Sequence, residues 1–418
     1  MSVEELRARI AAIDHEIELQ KKLLERLEQD RVRALRQLNT ALDPVARLPL
    51  EISSEIFLQS LATSPSGARG VPTVLLGIFN AWTDIALATP AMWMAVHIHF
   101  PCGDHFAKIL PIWFQRAGNF PLSASISLCG HSTNWNHRVS DVLWRHGGQL
   151  KHLEILDDDD ITTNNETLDL LGATAPVSLP LLETLMIRCQ HQQRKYPSSQ
   201  IFQLLGGAPN IVEFISDKVR TRNDLDLECL TVPTLRRVIF GETSSSDDEI
   251  FFYLVLPALE TLSLPMCYIS GSELLACIKR SAAPLQDLAL GWKFGGMQSF
   301  QLHECLGLIP TLTRFKIWQP SVEAVTELFV ALADSPSLLP NLHDLTVHLR
   351  PADHDAPNLP EFSWRTLIRA LSTRRVEQLH IAPVATSPPM DVLASLRELA
   401  TTGAKMHVGT EELNFVVA

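Results

Sequence analysis

The 418-residue chain has no surplus of positive charge: 35 Lys and Arg stand against 47 Asp and Glu, a net charge of −12. That balance disfavours the basic surface that phosphate-backbone binding requires, so nucleic acid is not an expected partner. The seven cysteines are odd in number and contain no C-x-x-C pair. Neither a disulfide framework nor a zinc site is therefore expected, and reduced thiols point to the cytoplasm or nucleus. Charge begins at Glu4, leaving no apolar core for a signal peptide. The longest apolar stretches, such as 74–79, fall far short of the roughly 20 residues that cross a bilayer. The expectation is a soluble, intracellular chain without a membrane partner. H-E-x-x-H, G-x-S-x-G and G-x-x-x-x-G-K-[ST] are all absent, and no cysteine has an activating neighbour in sequence. Asp157–Asp160 lacks the D-x-D-x-D-G spacing of a calcium loop and reads as a solvated acidic loop after a strand. His97-x-His99 places two imidazoles on one strand face but offers no third ligand. No catalytic residue, cofactor or metal is expected.

What is present is apolar residue enough, 46% of the chain, to build a core too long for one compact domain. Residues 1–42 form a region of their own, with eight acidic and eight basic residues and no Gly or Pro before Pro44. Alternate steps of four and three pick out Leu6, Ile10, Ile13, Ile17, Gln20, Leu24, Leu27, Arg31, Ala34 and Leu38. Eight of these ten are apolar, which predicts an amphipathic, coiled-coil-like helix interrupted at Gln20 and Arg31. Two readings stand open: self-association into a homodimer, or a helix folded back on its own chain.

Residues 43–93 predict short helices. Pro49 opens one over Leu50–Leu61, with Ile52, Ile56, Phe57 and Leu61 on one face. After a loop marked by Pro65, Gly67, Gly70 and Pro72, a second helix is predicted over Val74–Ala88 and is stopped by Pro90. Trp93 is expected in the core. A fragment this small has little independent stability and must lean on another surface.

Residues 94–418 repeat. An apolar-x-x-apolar-x-apolar pattern starts at 150, 182, 211, 235, 259, 285, 312, 342 and 376, at intervals of 24 to 34 residues. These intervals lie in the range of leucine-rich repeats. Proline stands before many predicted strands (Pro180, Pro209, Pro233, Pro257, Pro284, Pro310, Pro340), and amphipathic stretches fill the gaps at Ser272–Arg280, Val322–Ala333, Trp364–Leu371 and Met390–Leu399. Ala124–Ile126 and Val96–Ile98 extend the series backward and Lys405–Val408 extends it forward. The expected fold class is α/β: a leucine-rich-repeat solenoid, in which each strand–helix unit leaves its apolar face for a neighbour to cover.

The middle region carries a resemblance. Pro44-Val45, Leu48-Pro49-Leu50-Glu51-Ile52, Glu55-Ile56-Phe57, Trp82, Asp84-Ile85-Ala86-Leu87, Thr89-Pro90 and Trp93 follow the order and spacing of the F-box. The layout resembles the F-box families of mushroom-forming fungi, in which a charged helix precedes the F-box and degenerate leucine-rich repeats follow. The chain departs from that pattern at Phe79, Asn80 and Ala81, where a Cys and basic residues are usual, and at Thr83, where Arg is common. In the repeats the position three after each strand's last apolar residue is commonly Asn or Cys; only Cys267 satisfies it, so an irregular horseshoe is expected.

The resemblance implies a non-catalytic substrate receptor of an SCF-type, cullin–RING ubiquitin ligase. Leu48, Pro49, Glu51, Ile52, Ile56, Phe57, Leu76 and Trp82 would meet a Skp-family adaptor, and through it a cullin scaffold, while the repeats hold a protein target. A scaffold outside any ligase, with the F-box-like helices as an N-terminal cap, is the alternative. The strand frame exposes the residues between its apolar positions, among them Arg314, Lys316, Trp318, His348 and His380. Trp and Arg are over-represented at binding hot spots, which makes this the expected target-binding patch.

Overall fold

The structure, a computed structural model, describes the chain except residues 1–2, 43–44, 46–47, 63–74, 77–79, 159–165, 173–176, 192–193, 223–227, 242–248, 265–270, 292–298, 351–357, 411 and 418. The loop at 63–74 and the repeat position Cys267 lie outside the described residues. The chain divides into two units, Met1–His97 with Ile112–Phe120, and Ile98–Pro111 with Pro121–Ala418. It is a mixed α/β protein with a long N-terminal helix and a long parallel sheet.

Among its described residues, unit 1 includes the helices α1 (Val3–Leu42), α2 (Leu50–Ala62) and α3 (Asn80–Ala88). Freedom from Gly and Pro lets α1 run for 40 residues, supported by side-chain pairs one turn apart, Gln20 to Glu16 and Lys21 to Glu18, each at 2.9 Å. Every described side chain of α1 is exposed. Pro49 opens α2, its carbonyl accepting the Ile52 and Ser53 amides at 3.1 Å. The inner face of α2 is fixed by three contacts. The Ser53 hydroxyl donates to the Val45 carbonyl (3.1 Å), Ser54 meets the Thr89 hydroxyl (2.7 Å), and the Phe57 ring lies 4.8 Å from Trp82. Pro90 ends α3 and begins a 3-10 turn, Pro90–Trp93. Trp93 is 1% exposed, a core residue as expected. Its indole donates to the Ala86 carbonyl (2.7 Å), the Trp113 indole donates to the Trp93 carbonyl (2.9 Å), and the two rings meet edge to face.

The repeats begin with β1 (Ala95–Phe100), α4 (Phe106–Ala117), β2 (Leu122–Cys129), α5 (His137–Arg145), β3 (Leu150–Asp158) and β4 (Thr184–Cys189). They continue through β5 (Lys195–Pro197), α6 (Ser198–Gly206), β6 (Glu213–Asp217), β7 (Arg220–Arg222), β8 (Leu230–Thr231), β9 (Arg237–Phe240), α7 (Glu249–Phe252), β10 (Leu254–Val255) and β11 (Thr261–Leu264). The last third alternates regularly: α8 (Gly271–Ser281), β12 (Asp287–Gly291), α9 (Ser299–Gly307), β13 (Arg314–Trp318), α10 (Val322–Asp334), β14 (Asp344–His348), α11 (Glu361–Ser372), β15 (Gln378–Ala382), α12 (Met390–Thr401) and β16 (Lys405–Val408). Twelve strands form one sheet whose order, β1-β2-β3-β4-β6-β9-β11-β12-β13-β14-β15-β16, follows the chain. Successive parallel strands joined by crossovers of one hand carry their connections on one face. That face takes the leucines of the repeat, such as Phe315 and Ile317, Leu345, Val347, Leu379 and Ile381, each at most 1% exposed.

The recurrent prolines have a local cause. In Leu179-Pro-Leu-Leu182, Ala208-Pro-Asn-Ile211, Leu256-Pro-Ala-Leu259, Ile309-Pro-Thr-Leu312 and Leu339-Pro-Asn-Leu342, the last amide bonds the first carbonyl at 3.1–3.2 Å. Each is a β-turn with Pro at its second position, where the ring's fixed φ suits it. The residue after Pro then reaches an earlier turn: Asn210 to the Pro180 carbonyl (2.7 Å), Thr234 to Pro209 (3.0 Å), Thr311 to Leu285 (2.7 Å), Asn341 to Pro310 (2.9 Å). Side chains thus link successive turns ahead of the strands, whereas the sequence pattern looked for an Asn or Cys ladder behind them.

One expectation is corrected. Asp157 does not belong to a solvated loop: it ends the buried run of β3 at 1% exposure beside the exposed Asp158, while Asp159 and Asp160 lie outside the described residues. The strand continues two residues further than the apolar pattern because Arg194, fully enclosed, ion-pairs with Asp157 and donates to the Gly130 carbonyl. The Tyr196 hydroxyl donates to the other Asp157 oxygen at 2.5 Å. Burial first, then the neighbouring Cys189 and Asp157, push the Tyr196 phenol well above its usual range.

Replacing Asp157 by Ala leaves a buried guanidinium without its counter-charge and is expected to cost about 3–5 kcal/mol in urea unfolding. Tyr196→Phe is expected to cost only about 1–2 kcal/mol. Asn341→Ala, which breaks one exposed turn-to-turn bond, should cost about 1 kcal/mol in the same measurement.

Candidate functional site

In unit 1, α2 is apolar on two sides. Phe57 is 5% exposed and packed at a tilt against Trp82, so of the eight residues assigned to adaptor docking it belongs to the interior. Trp82 and Leu76 are half-buried. Leu48, Pro49, Glu51, Ile52 and Ile56 face outward, and Ile52, the most open of the aliphatic four, is 51% exposed. Leu50 and Leu87 are exposed as well. The i, i+4 rule that groups Ile52 with Ile56 identifies that face; Leu50 and Leu87 escaped because they sit off its stripe. A side chain of this size yields roughly 1.5–3 kcal/mol on full burial, so covering four that are half open gives a partner about 3–6 kcal/mol gross.

In unit 2, the face of the sheet opposite the leucines carries side chains in rows fixed by register. Asp287, Arg314, Asp344, Gln378 and Lys405 form one row; Ala289, Lys316, Thr346, His380 and His407 the next; Gly291, Trp318, His348 and Ala382 a third. The five residues assigned to target binding therefore stand together. Trp318 stacks on His348 at 3.9 Å and 13°, His348 tilts against His380 at 5.1 Å, and His380 stacks on His407 at 4.6 Å. The result is a ladder of four rings across four strands. His407 was not among the assigned residues, although Lys405–Val408 was read as a strand; placing its histidine in the frame of Gln378–Ile381 would have found it. Arg314 is held by Asp287 of the neighbouring strand at 3.0 Å, and Arg237 likewise meets Glu213 at 3.2 Å, the cross-strand pairing expected of opposite charges. Beside the first row lies a cavity of about 900 Å³ whose walls include Arg314, His343, Arg375, Glu377 and Lys405.

Burial lowers the pKa of His380 below its ordinary 6.5, the neighbouring His407 lowers it further, and Asp344 opposes the shift. A histidine of lowered pKa contributes stability above its unfolded value and loses that contribution as pH falls through the folded one. At neutral pH His380 is thus an uncharged, flat ring suited to stacking and hydrogen bonding.

His99 meets the Ser127 hydroxyl at 2.6 Å, and among the described residues no group of three or more His, Cys, Asp or Glu side chains could hold a metal ion. No described helix is long and apolar enough to cross a membrane. The thiols of Cys102 and Cys305 are pushed up to about 11 and 12, chiefly by burial, which disfavours the thiolate a nucleophile needs. No protein-family model matches the chain, and no curated protein matches it.

His407→Gln removes one cause of the His380 shift. NMR titration should then find the His380 pKa moved up toward 6.5; an unchanged or lower value would show that the two rings do not interact.

Proposed function

We propose that the chain is a non-catalytic receptor, with an F-box that docks on a Skp-family adaptor of an SCF-type ubiquitin ligase and a leucine-rich-repeat solenoid that presents a protein target. One observation carries the first half. α2 keeps Ile52 and Ile56 exposed while Ser53 and Phe57 anchor the opposite side, so the open face is a surplus and not an accident of a loose fragment. Exposed apolar patches of this kind mark partner sites. The second half is supported by sequential parallel strands, a period near that of leucine-rich repeats and the half-buried Trp318–His407 ladder. Adaptor and cullin belong to the cytoplasm or nucleus, where free thiols are expected.

A second reading, an interaction scaffold outside any ligase, is favoured by Thr83. Where the F-box pattern has a basic side chain, the Thr83 hydroxyl turns inward to the Leu76 carbonyl at 3.3 Å.

Co-expression with a Skp-family adaptor decides between them. The parent chain should capture the adaptor, and Leu48→Ala/Pro49→Ala or Ile52→Glu/Ile56→Glu should weaken capture at least about tenfold, the loss of one or two interface anchors. Unfolding of the charged variants should stay near that of the parent. A parent that captures no adaptor leaves the scaffold reading in possession.

A further inference from the structure

We propose that α1 is one strand of a parallel, in-register, two-stranded coiled coil, and that the partner covering its seam is a second copy of this chain. This stands independently of the adaptor reading. The helix is about 60 Å long at 1.5 Å per residue, and its seam residues Leu6, Ile10, Ile13, Ile17, Leu24, Leu27 and Leu38 are all exposed, Leu24 at 58%. A continuous apolar strip of that length on a 40-residue helix is far beyond scattered surface leucines.

Charge on the flanks, together with coverage of the whole seam, selects the occupant and its direction. With Ile10, Ile17, Leu24, Arg31 and Leu38 at position a and Leu6, Ile13, Gln20, Leu27 and Ala34 at d, the g positions are Arg9, Glu16, Leu23, Asp30 and Gln37, and the e positions Arg7, Asp14, Lys21, Glu28 and Leu35. In a parallel, in-register pair each g residue meets the partner's e residue five positions on. Arg9 then faces the partner's Asp14 and Glu16 the partner's Lys21, while every other pair has at least one uncharged member. Sliding one helix by a heptad brings Arg9 to the partner's Arg7, Glu16 to the partner's Asp14 and Asp30 to the partner's Glu28, all like charges. A fully overlapped antiparallel pair sets Glu16 against the partner's Asp30, Asp14 against the partner's Glu28 and Lys21 against its own copy. Shifting the antiparallel pair by a heptad sets Arg9 against the partner's Asp30, Arg7 against the partner's Glu28 and Asp14 against the partner's Lys21, all opposite charges. But it leaves Leu35, Leu38 and Leu42 uncovered, all of them exposed, whereas the parallel pair covers the whole seam. The interruptions fit as well. Gln20 stands against its own copy, where its amide can pair with itself, and Arg31 lies beside the partner's Asp30; polar core residues of this kind fix register at some loss of affinity.

Light scattering of the full chain should give twice 46.6 kDa. Ile17→Asp/Leu24→Asp should return the monomer without altering the thermal unfolding of the rest, since both side chains are exposed here. Lys21→Glu should raise the dimer Kd roughly tenfold at low salt, and adding Glu16→Lys should restore it. Leu38→Cys should form an interchain disulfide under mild oxidation that the parent, which has no cysteine in α1, does not form at that helix. A monomeric parent, a dimer that survives Ile17→Asp/Leu24→Asp, or a dimer whose Leu38→Cys form does not cross-link at position 38 overturns the proposal.

Discussion

The repeat region depends on one thread of backbone hydrogen bonds. The Glu183 amide donates to the Lys151 carbonyl, Val212 to Glu183, Arg236 to Val212, Glu260 to Arg236 and Gln286 to Glu260, each at 2.8–2.9 Å. The thread continues from Thr313 to Gln286, His343 to Thr313, Glu377 to His343 and Lys405 to Glu377, at 2.7–2.9 Å. From Glu183 to Glu377 each donor and acceptor stands just ahead of its strand, and the thread is anchored at its ends by Lys151 inside β3 and Lys405 at the start of β16. A buried amide without such a partner would lose about 1–3 kcal/mol, and no repeat can satisfy these groups alone. Stability is therefore a property of neighbouring pairs, as expected where each unit touches only the next.

That constraint also shapes the surface. Because strands pair in parallel with constant register, every second side chain is forced into rows, and residues about 30 positions apart in sequence become neighbours at ring-contact distance. The Trp318–His348 and His380–His407 stacks each follow from placing flat side chains at equivalent positions of neighbouring strands, and the two adjacent rows meet where His348 tilts against His380. The same rule pairs Arg314 with Asp287 and Arg237 with Glu213. An exposed pair of this kind adds little stability; its effect is to hold the guanidinium flat along the row and to leave the rings, not the charge, as the distinguishing feature of the face.

Most of the strand and helix positions were legible in the sequence because the signal is a repeated one. The helices expected at Ser272–Arg280, Val322–Ala333, Trp364–Leu371 and Met390–Leu399 extend by only a few residues in the structure, and the outlying strands at Val96–Ile98, Ala124–Ile126 and Lys405–Val408 are present. What escaped was whatever a long-range partner decides. Nothing local marks Asp157 as buried; that is set by Arg194, 37 residues away. Phe57 and Ile56 are adjacent and similarly apolar, and only the position of Trp82 turns one inward and leaves the other open. The prolines were visible as punctuation, yet the turn-to-turn bonds of Asn210 and Asn341 required knowing that successive turns stack.

The N-terminal helix obeys a different physics from the repeats. Isolated helices become self-sustaining beyond about 12–15 residues when composition allows, and α1 has 40 residues of balanced charge without a helix breaker. Its conformation is thus locally determined, whereas that of each repeat strand is set by its neighbours. A locally determined element needs no contact with the rest of its chain to exist, so its apolar seam is free to be specified for another molecule, and the flanking charges can be selected for direction and register alone. The exposed seam of α1 and the exposed Ile52–Ile56 face of α2 arise in this way from opposite causes. The first is open because the helix forms without tertiary support; the second is open because Phe57 and Ser53 already supply that support from the other side.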